Sequence, residues 1–378
     1  MTNPFLALSG AVEAGGRDAG VAAHYGNPVL EQRRLAAGDA IVDLSHRAVL
    51  TITGPDRLSW LNSISSQSLT RMGAGDSSET LLLAQTGRVE HAVRLIDDGE
   101  TLWLLVEHDE ADALLGWLTS MRFMLRVELA DRSEEFATIG ALGSGELVSA
   151  AVSNGTALVW HDPWTAVAPG GHQYATAAEH PGAGWNWSET LVARGELDGI
   201  AARAASAELP VAGLLAVEAL RIAAWRPRFA TEVDERTIPH ELDWLRSAVH
   251  LEKGCYRGQE TIAKVHNLGH PPRRLVMLHL DGSDAVLPGA GSPVWFSQEG
   301  ERREVGLVTS SAMHHELGPI ALAVVKRSTD VSLTLNVDAE GIVVAAAQEV
   351  VVPPTAGAVA NVPRIPRIGA VTRPASTP

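Results

Sequence analysis

Residues 40–56 read AIVDLSHRAVLTITGPD, and they contain a predicted strand followed directly by the start of a predicted helix. Residues 48–53 alternate as a half-buried β-strand does. Gly54, Pro55 and Asp56 then break the strand and begin a helix that we expect to reach residue 61. A strand followed at once by a helix indicates a mixed α and β fold in this part of the chain.

Further helices are predicted by apolar spacing and by the residues at their ends. Pro28 suits the first turn of a helix over residues 28–37, and Gly38 suits its exit. Residues 110–119 are amphipathic, and residues 214–224 place leucine and alanine at helical spacing. Residues 141–190, rich in glycine, alanine and tryptophan, give no clear prediction.

Strands are predicted in two regions. The first region has strands over residues 81–83, 89–96 and 102–106, and Asp97-Asp98-Gly99 joins the last two as a hairpin. From residue 274 the chain becomes β-rich, with glycine and proline turns between short strands. These strands cover residues 275–280, 293–296, 305–310 and 320–325. The pattern predicts a small C-terminal β-barrel or sandwich.

Composition is that of a globular protein, with 46% hydrophobic and 20% charged residues. The sequence has neither a run of about 20 apolar residues, as a membrane span needs, nor a secretory signal at its start. Its one cysteine cannot form an internal disulfide. We therefore expect a cytoplasmic protein that does not interact with membranes.

The net charge of −15 argues against a general nucleic-acid binder. Residues 250–274 nevertheless form a basic island in this acidic chain. The island has five cations, Lys253, Arg257, Lys264, Arg273 and Arg274, against two acids, Glu252 and Glu260. Such an island attracts anionic ligands, although a solvated charged face is the simpler interpretation.

The octapeptide KGCYRGQE, residues 253–260, contains the single cysteine, Cys255. Its two glycines indicate a tight backbone path. Lys253 and Arg257 flank the cysteine, and nearby cations favour the thiolate, which is nucleophilic and binds metals. Gln259 and Glu260 begin a predicted helix. The alternative is a buried cysteine that acts as a small apolar residue.

A second group of candidates lies between residues 213 and 232. Glu218 and Arg221 are spaced to pair on a helix. Trp225 and Phe229 either belong to the core or form the wall of a site for a flat heterocycle, with Glu232 contacting its ring nitrogens. Glu90 and His91 lie at a predicted strand end. No phosphate loop, His-Glu-x-x-His or paired-cysteine pattern occurs in the sequence, so no metal site is expected.

Residues 253–260 resemble the signature of the YgfZ proteins, the folate-binding branch of the glycine-cleavage T-protein superfamily. Residues 40–56, with Asp-x-Ser-His and Thr-Gly-Pro-Asp, resemble a T-protein segment. Residues 213–221 resemble the T-protein helix that precedes a folate-contacting stretch, and residues 273–325 resemble the closing barrel. These segments occur in the family's order and cover most of the chain.

The resemblance implies an α+β cloverleaf of three subdomains around a central hole that binds tetrahydrofolate. Residues 1–272 would form the folate-binding region of two interleaved α/β subdomains, and residues 273–350 the barrel. Residues 351–378 carry six prolines, three arginines and no acid, and are predicted to be a flexible tail. The implied folate contacts lie near Glu90, His91, Arg221, Trp225, Phe229 and Glu232, with the basic island attracting the acidic tail of folate.

Two departures from T-protein argue against aminomethyl transfer. Glu90 and His91 stand where T-proteins have adjacent aspartates, and Ala223 replaces a glutamate. A methyl group cannot supply the charge of a carboxylate. The leading hypothesis is a folate-binding accessory factor for iron–sulfur protein assembly or repair, acting with client proteins through Cys255, Lys253, Arg257, Gln259 and Glu260. The alternatives are a tetrahydrofolate-dependent one-carbon transferase with His91 as general base, and a binding scaffold with an incidental thiol.

Overall fold

The computed structural model describes residues 3–143, 145–283 and 286–361, and its architecture is α+β. The α-helices are α1 (Pro28–Ala36), α2 (Arg57–Ile64), α3 (Ala111–Met121), α4 (Leu197–Ala205), α5 (Leu214–Ala223), α6 (Phe229–Glu232) and α7 (Gln259–Leu268). Each helix predicted from the sequence is present within a few residues of its expected bounds. Every helix in these ranges is too short or too polar to cross a bilayer.

The strands fall into two sheets, a barrel and two small ribbons. They are β1 (Val12–Glu13), β2 (Ala22–His24), β3 (Ile41–Asp43), β4 (Ala48–Thr53), β5 (Ser77–Leu83), β6 (Val89–Asp97), β7 (Thr101–Val106), β8 (Glu128–Asp131), β9 (Phe136–Leu142), β10 (Val152–Ser153), β11 (Thr156–Ala157), β12 (Val159–His161), β13 (Trp187–Ala193), β14 (Val211–Ala212), β15 (Arg273–Leu280), β16 (Pro293–Gln298), β17 (Glu301–His314), β18 (Gly318–Lys326), β19 (Leu335–Ala339) and β20 (Ile342–Val350).

The first sheet has the strand order β12-β13-β9-β3-β14. One side of it packs on α4 and the N-terminal segment, where Phe5, Ile139, Leu197 and Ile200 form a separate core cluster. The other side contributes Val42 and Trp187 to the central core. The sheet includes β12 and β13, which come from the region that the sequence left unassigned, and so that region builds the centre of the molecule.

The second sheet has the order β5-β6-β7-β4-β8. One face packs on α2 and α3 through Leu61, Leu114 and Leu118, and the other faces the central core. The predicted hairpin is confirmed, because β6 ends at Asp97 and β7 begins at Thr101. The carboxylate of Asp98 accepts the backbone N–H groups of residues 100 and 101 and fixes this turn.

The C-terminal strands close into a six-stranded barrel in the order β15-β18-β17-β16-β19-β20. Its interior is apolar, with Val276, Leu278, Val294, Ala323 and Val337 among its buried residues. The prediction of a C-terminal barrel is therefore confirmed. The two sheets and the barrel are the three units of the fold.

Packing continues beyond residue 350, where the sequence predicts the start of a flexible tail. Val351 and Val352 are buried, and the N–H of Val352 bonds to the carbonyl of Leu275. The N–H groups of Val359 and Ala360 reach carbonyls at the end of α7. Residues 351–361 are thus fixed against the barrel and α7, whereas the rest of the predicted tail, residues 362–378, lies outside the described residues.

Candidate functional site

Cys255 is free and exposed on the surface loop that leads into α7. The interpretation of a buried cysteine in a core position is therefore wrong. Lys253 and Arg257 are partly buried beside it, and Tyr256 is buried. The loop thus presents one thiol to solvent while its neighbours pack against the protein.

Lys253 holds the start of this loop to the end of α2. Its ammonium group donates to the backbone carbonyls of Asn62, Ser65 and Gln67, at 2.6, 2.8 and 2.5 Å. A lysine suits this place because the end of a helix presents unpaired carbonyls and a partial negative charge. Burial lowers the pKa of the Lys253 ammonium to about 8.

Arg257 holds the other side of the loop to β6. Its Nη1 donates to Glu90 at 2.8 Å, and its guanidinium lies 5.8 Å from the ring centroid of Trp117 on α3. Glu90 is the extra residue of a β-bulge, because β5 pairs with residues 89 and 91 and skips it. The charged groups of Lys253 and Arg257 therefore bind partners other than the cysteine sulfur, contrary to the expectation from their spacing.

Gly258 and Gly87 let the loop and the β5–β6 turn approach closely. Gly258 has φ +84°, and a Cβ there would lie 2.6 Å from the carbonyl oxygen of Ala84. Gly87 has φ +78°, and its Cβ would lie 2.8 Å from Thr261 on α7. The side chain of Gln259 donates back to the carbonyl of Lys253 at 3.1 Å and closes the loop. Glu260 is exposed on the first turn of α7.

A small cavity of about 70 Å³ lies where the sheets meet α5 and α6. None of the octapeptide residues lines it. Its walls carry five arginines and five acids, together with aromatic side chains. These are Arg47, Arg94, Arg221, Arg226, Arg228, Glu79, Glu107, Asp162, Glu189, Glu218, Trp160, Trp185, Trp187, Phe229 and Trp244. We call this space the central cavity.

The charges around the central cavity pair with one another. Arg228 donates to Glu107 at 2.9 and 3.0 Å and to Asp18 at 2.6 and 3.0 Å. Burial alone would raise the pKa of Glu107, but the charges of Arg228 and Arg47 outweigh burial and hold that pKa well below its usual range. Glu107 is therefore ionised at neutral pH.

Three polar atoms of the cavity-wall residues, Arg47 Nε, Glu189 Oε2 and Arg226 Nη1, have no hydrogen-bond partner among the described residues. Glu189 Oε1 accepts from Arg47 at 2.6 Å and from Arg94 at 2.8 Å, whereas its Oε2 is buried and unpaired. Arg226 donates to Glu79 and Asp162, whereas its Nη1 is buried and unpaired. One acceptor and two donors are thus without partners, which suits a ligand with a mixed polar edge.

The folate-binding residues predicted from the sequence lie in different places. Arg221 and Phe229 line the central cavity, and Trp225 and Glu232 do not. Trp225 is buried in the core at the end of α5. Glu232 accepts hydrogen bonds from the N–H of Arg228 and from the side chains of Arg221, Thr231, Thr309 and Ser310. A ligand that binds Glu232 would have to displace one of these donors.

Glu90 and His91 do not line the central cavity either. Glu90 binds Arg257. The ring of His91 lies 3.1 Å from Glu110, next to α3. Ala92 and Arg94, which alternate with His91 along β6, line the cavity instead. His91 therefore faces away from the central cavity, and the hypothesis that it is the general base there has no support from the geometry.

Four of the five cations of the basic island, residues 250–274, are held in internal contacts or buried, and two of them pair with acids. Lys253 caps α2, and Arg257 pairs with Glu90. Arg273 pairs with Asp234 at 2.6 Å and with Glu241 at 2.8 Å, and Arg274 is buried in the barrel wall. Lys264 is exposed. The island is therefore not the anion-attracting surface that its composition suggests.

Most residues of the central cavity were missed by the sequence analysis. Five of them lie in the region without a clear prediction, residues 141–190: Trp160, Asp162, Trp185, Trp187 and Glu189. The available signal was the density of tryptophan among acidic residues there, since polar groups beside large aromatic ones are typical of binding sites. Arg226 and Arg228 adjoin Trp225, and their spacing gave no sign that both point inward.

Comparison with known proteins supports the glycine-cleavage T-protein superfamily for this chain. Residues 273–355 match the family described as the glycine cleavage T-protein C-terminal barrel domain. An aminomethyltransferase of Herpetosiphon aurantiacus is 27% identical over 83% of this chain and 86% of the relative. An aminomethyltransferase of Symbiobacterium thermophilum is 25% identical over 80% of this chain and 82% of the relative.

A solved structure shows the same fold. The glycine cleavage system aminomethyltransferase T of Bartonella henselae superposes with a TM-score of 0.69, covering 89% of this chain and 92% of that one, at 17% identity. The protein therefore has the T-protein fold, and the sequence matches support the glycine-cleavage T-protein superfamily. These matches do not separate the YgfZ branch from the aminomethyltransferases, so that finer assignment remains a prediction.

The two glycines of the octapeptide offer a matched test of the loop geometry. Gly258→Ala should lower the free energy of unfolding by about 2 kcal/mol or more, because alanine disfavours a left-handed φ and its Cβ meets the carbonyl of Ala84. Gly254→Ala should change it by less than about 0.5 kcal/mol, because no atom lies within 4 Å of the new Cβ. Urea unfolding measures both, and equal midpoints would contradict the geometry.

Proposed function

We propose that the protein is a tetrahydrofolate-binding accessory factor of the cytoplasm that supports the assembly or repair of iron–sulfur proteins through Cys255. The observation that carries this proposal is the exposed thiol on a loop whose Lys253, Tyr256 and Arg257 side chains are fixed to the fold. In the octapeptide, the side chains of Lys253, Arg257 and Gln259 form hydrogen bonds that hold this loop in place. Such a loop presents sulfur to a macromolecular partner rather than to a small substrate in a buried cavity.

The chemistry of sulfur supports this role. A cysteine thiolate is a soft ligand for iron and a nucleophile. A client protein that carries or receives a cluster can reach an exposed thiol directly. The cluster is the cargo of the client, because one cysteine cannot supply the four thiolates that a cluster usually needs. Cys255 would therefore contact a cluster or a persulfide only in the complex with the client.

The central cavity supports folate binding through its unpaired atoms. Glu189 Oε2 is a free acceptor and Arg226 Nη1 a free donor, and the polar edge of a reduced pterin carries N–H donors and a carbonyl acceptor. Phe229, Trp185 and Trp187 supply aromatic wall. The volume of about 70 Å³ is well below the roughly 300–1,000 Å³ of small-molecule sites, so a folate would have to displace wall side chains. Phe229 is a wall residue that is partly exposed and has no side-chain hydrogen bond to lose on moving.

Tetrahydrofolate carries one-carbon units and is a reductant. The residues of this chain would supply orientation and charge to it, since the paired arginines and acids of the wall are held in place by hydrogen bonds and need not reorient when charge develops on the ligand. Thiol and cavity are built by different segments of the chain. We therefore propose that folate occupancy and thiol presentation are separate tasks of the same fold.

Folate binding should be measurable by calorimetry, and it should raise the melting temperature because the ligand binds only the native state. Glu189→Gln should weaken binding about tenfold, because it replaces the free acceptor. Glu218→Gln is the matched control on the same wall, since both of its oxygens already bind Arg221. No heat with tetrahydrofolate or its formyl and polyglutamyl forms at about 1 mM would refute the folate assignment.

The thiol is tested by complementation of a strain that lacks its own YgfZ. Cys255→Ala and Cys255→Ser should fold, because the side chain is exposed, and both should fail to restore iron–sulfur enzyme activity. Neither a methyl group nor a hydroxyl replaces a soft sulfur ligand. Gly254→Ala is the control in the same loop and should complement fully. Full complementation by both cysteine variants would show that Cys255 is not the working residue.

A second candidate function is a tetrahydrofolate-dependent transferase of the aminomethyl type. It is favoured by the names of the relatives with similar sequences. Against it stand Ala223, which replaces a carboxylate that the resemblance expects, and His91, which faces α3. The glycine-cleavage system reconstituted with this chain in place of T-protein should release no ammonia or methylenetetrahydrofolate. Release at near-normal rates would establish the transferase instead.

A further inference from the structure

The segment MRFML, residues 121–125 at the end of α3, exposes apolar side chains to water. Phe123 and Met124 are 91% and 92% exposed, the highest values among the large apolar residues that the structure describes. Met121 and Leu125 are exposed as well. Isolated exposed apolar residues are common, but a contiguous group of them marks an interaction site. We call residues 121–125 the apolar tip.

The backbone at Phe123 is unfavourable for the residue that occupies it. Its φ of +49° lies in the left-handed region, which disfavours residues with a Cβ and is an outlier for a bulky one. The side chain buries almost nothing that could offset this cost. Asparagine would suit both the backbone and the solvent better. Folding therefore does not explain a phenylalanine here, and such strained positions cluster at functional sites.

The apolar tip is held to the fold on both sides. On one side it continues α3, and the N–H of Leu125 bonds to the carbonyl of Arg122. On the other side Asp56 accepts the backbone N–H of Arg126 at 2.9 Å and its guanidinium at 2.7 and 3.0 Å. A Cβ at Gly54 would overlap the carbonyl oxygen of Arg126. The Gly-Pro-Asp break after β4 thus fixes the tip in place.

The apolar tip adjoins the loop that carries Cys255. Met121 lies one turn after Trp117 on α3, and residues four apart are neighbours on one face of a helix. Trp117 is partly exposed, and the guanidinium of Arg257 lies 5.8 Å from its ring centroid. Arg257 is two residues after Cys255. A partner that covers the tip can therefore also reach the thiol.

The composition of this surface favours a protein partner. Tryptophan, phenylalanine, methionine and arginine are enriched in protein interfaces, whereas lysine and the acids are depleted. The surface has Trp117, Met121, Arg122, Phe123, Met124 and Arg257. Arg122 is exposed and forms no ion pair in the part of the chain that the structure describes. An anionic membrane is disfavoured, because the chain has a net charge of −15 and Arg126 pairs with Asp56.

We propose that the apolar tip docks the iron–sulfur client protein that Cys255 serves, and that the client presents an apolar groove with an acidic rim. Phe123 and Met124 enter the groove, and Arg122 pairs with the rim. Methionine adapts to grooves of different shapes, so one tip can serve more than one client. The identity of the partner rests on the proposed function, whereas the position of the surface rests on the exposed side chains.

Phe123→Asn tests the tip in the strain that lacks its own YgfZ. The variant should keep or slightly raise the melting temperature, because asparagine tolerates a left-handed φ. The restored iron–sulfur enzyme activity should fall about tenfold or more, as expected for the loss of an aromatic anchor. Leu307→Thr is the control, since Leu307 is an exposed apolar residue of the barrel, and it should complement fully. Full complementation by Phe123→Asn would overturn the proposal.

Photocrosslinking identifies what covers the tip, and it does not depend on the folding of Phe123→Asn. The photoreactive amino acid p-benzoylphenylalanine replaces Phe123 in the full chain, and Leu307 in the control. Irradiation of the cells should give an adduct with an iron–sulfur protein from position 123 only. No adduct, or an adduct with a second copy of this chain or with a protein that carries no cluster, would overturn the proposal. Cosedimentation with phosphatidylglycerol vesicles that Phe123→Asn abolishes would assign the tip to a membrane instead.

The docking surface and the proposed function can fail separately. If the wild-type chain and Phe123→Asn both complement, only the docking surface is refuted. If the wild-type chain does not complement, the proposed function is refuted, and the crosslink from position 123 decides the docking surface. An adduct with an iron–sulfur protein would then still support the surface, and its absence would refute it.

Discussion

The buried guanidinium of Arg228 is the interaction on which the centre of the molecule depends. It joins Asp18 near the N-terminus, Glu107 after β7 and Glu218 on α5, which come from distant parts of the chain. Taking such charges out of water is costly, and only complete pairing compensates for it. The N-terminal segment, the end of β7 and α5 must therefore be in place before the network is satisfied, which favours one arrangement of these elements over looser alternatives.

The buried ion pairs also explain why the central cavity and the Cys255 loop suit different kinds of partner. A wall of interlocked ion pairs resists change, so it suits a ligand that is held and oriented. An exposed loop fixed by Lys253 and Arg257 suits contact with another macromolecule. Arg257 reaches β6 through the bulged residue Glu90, and Ala92 and Arg94 on the same strand line the central cavity. One strand thus anchors the thiol loop and lines the central cavity, while the thiol and the cavity lie in different environments.

The α+β fold with its C-terminal barrel followed from short-range patterns, because strand alternation, helical spacing and turn residues act locally. The resemblance added the order of the segments. The cavity could not be predicted in the same way, because Glu189, Arg47 and Arg94 are far apart in sequence. Glu189 and Arg94 lie on different sheets, and only the packing of the two sheets brings them together. Lys253 and Arg257 show the converse error. Proximity in sequence suggested an effect on the cysteine, whereas tertiary contacts direct both charged groups to carbonyls and to Glu90.

The chain has a single cysteine, and that cysteine is exposed. A maleimide fluorophore or spin label would therefore attach at one known position without any engineered mutation. Such a reporter would sit on the surface where a client is expected to dock, on a loop anchored at both sides, so its signal would reflect encounters with other molecules more than motion of the loop. A label on Cys255 would thus allow the partners that approach this surface to be identified by spectroscopy.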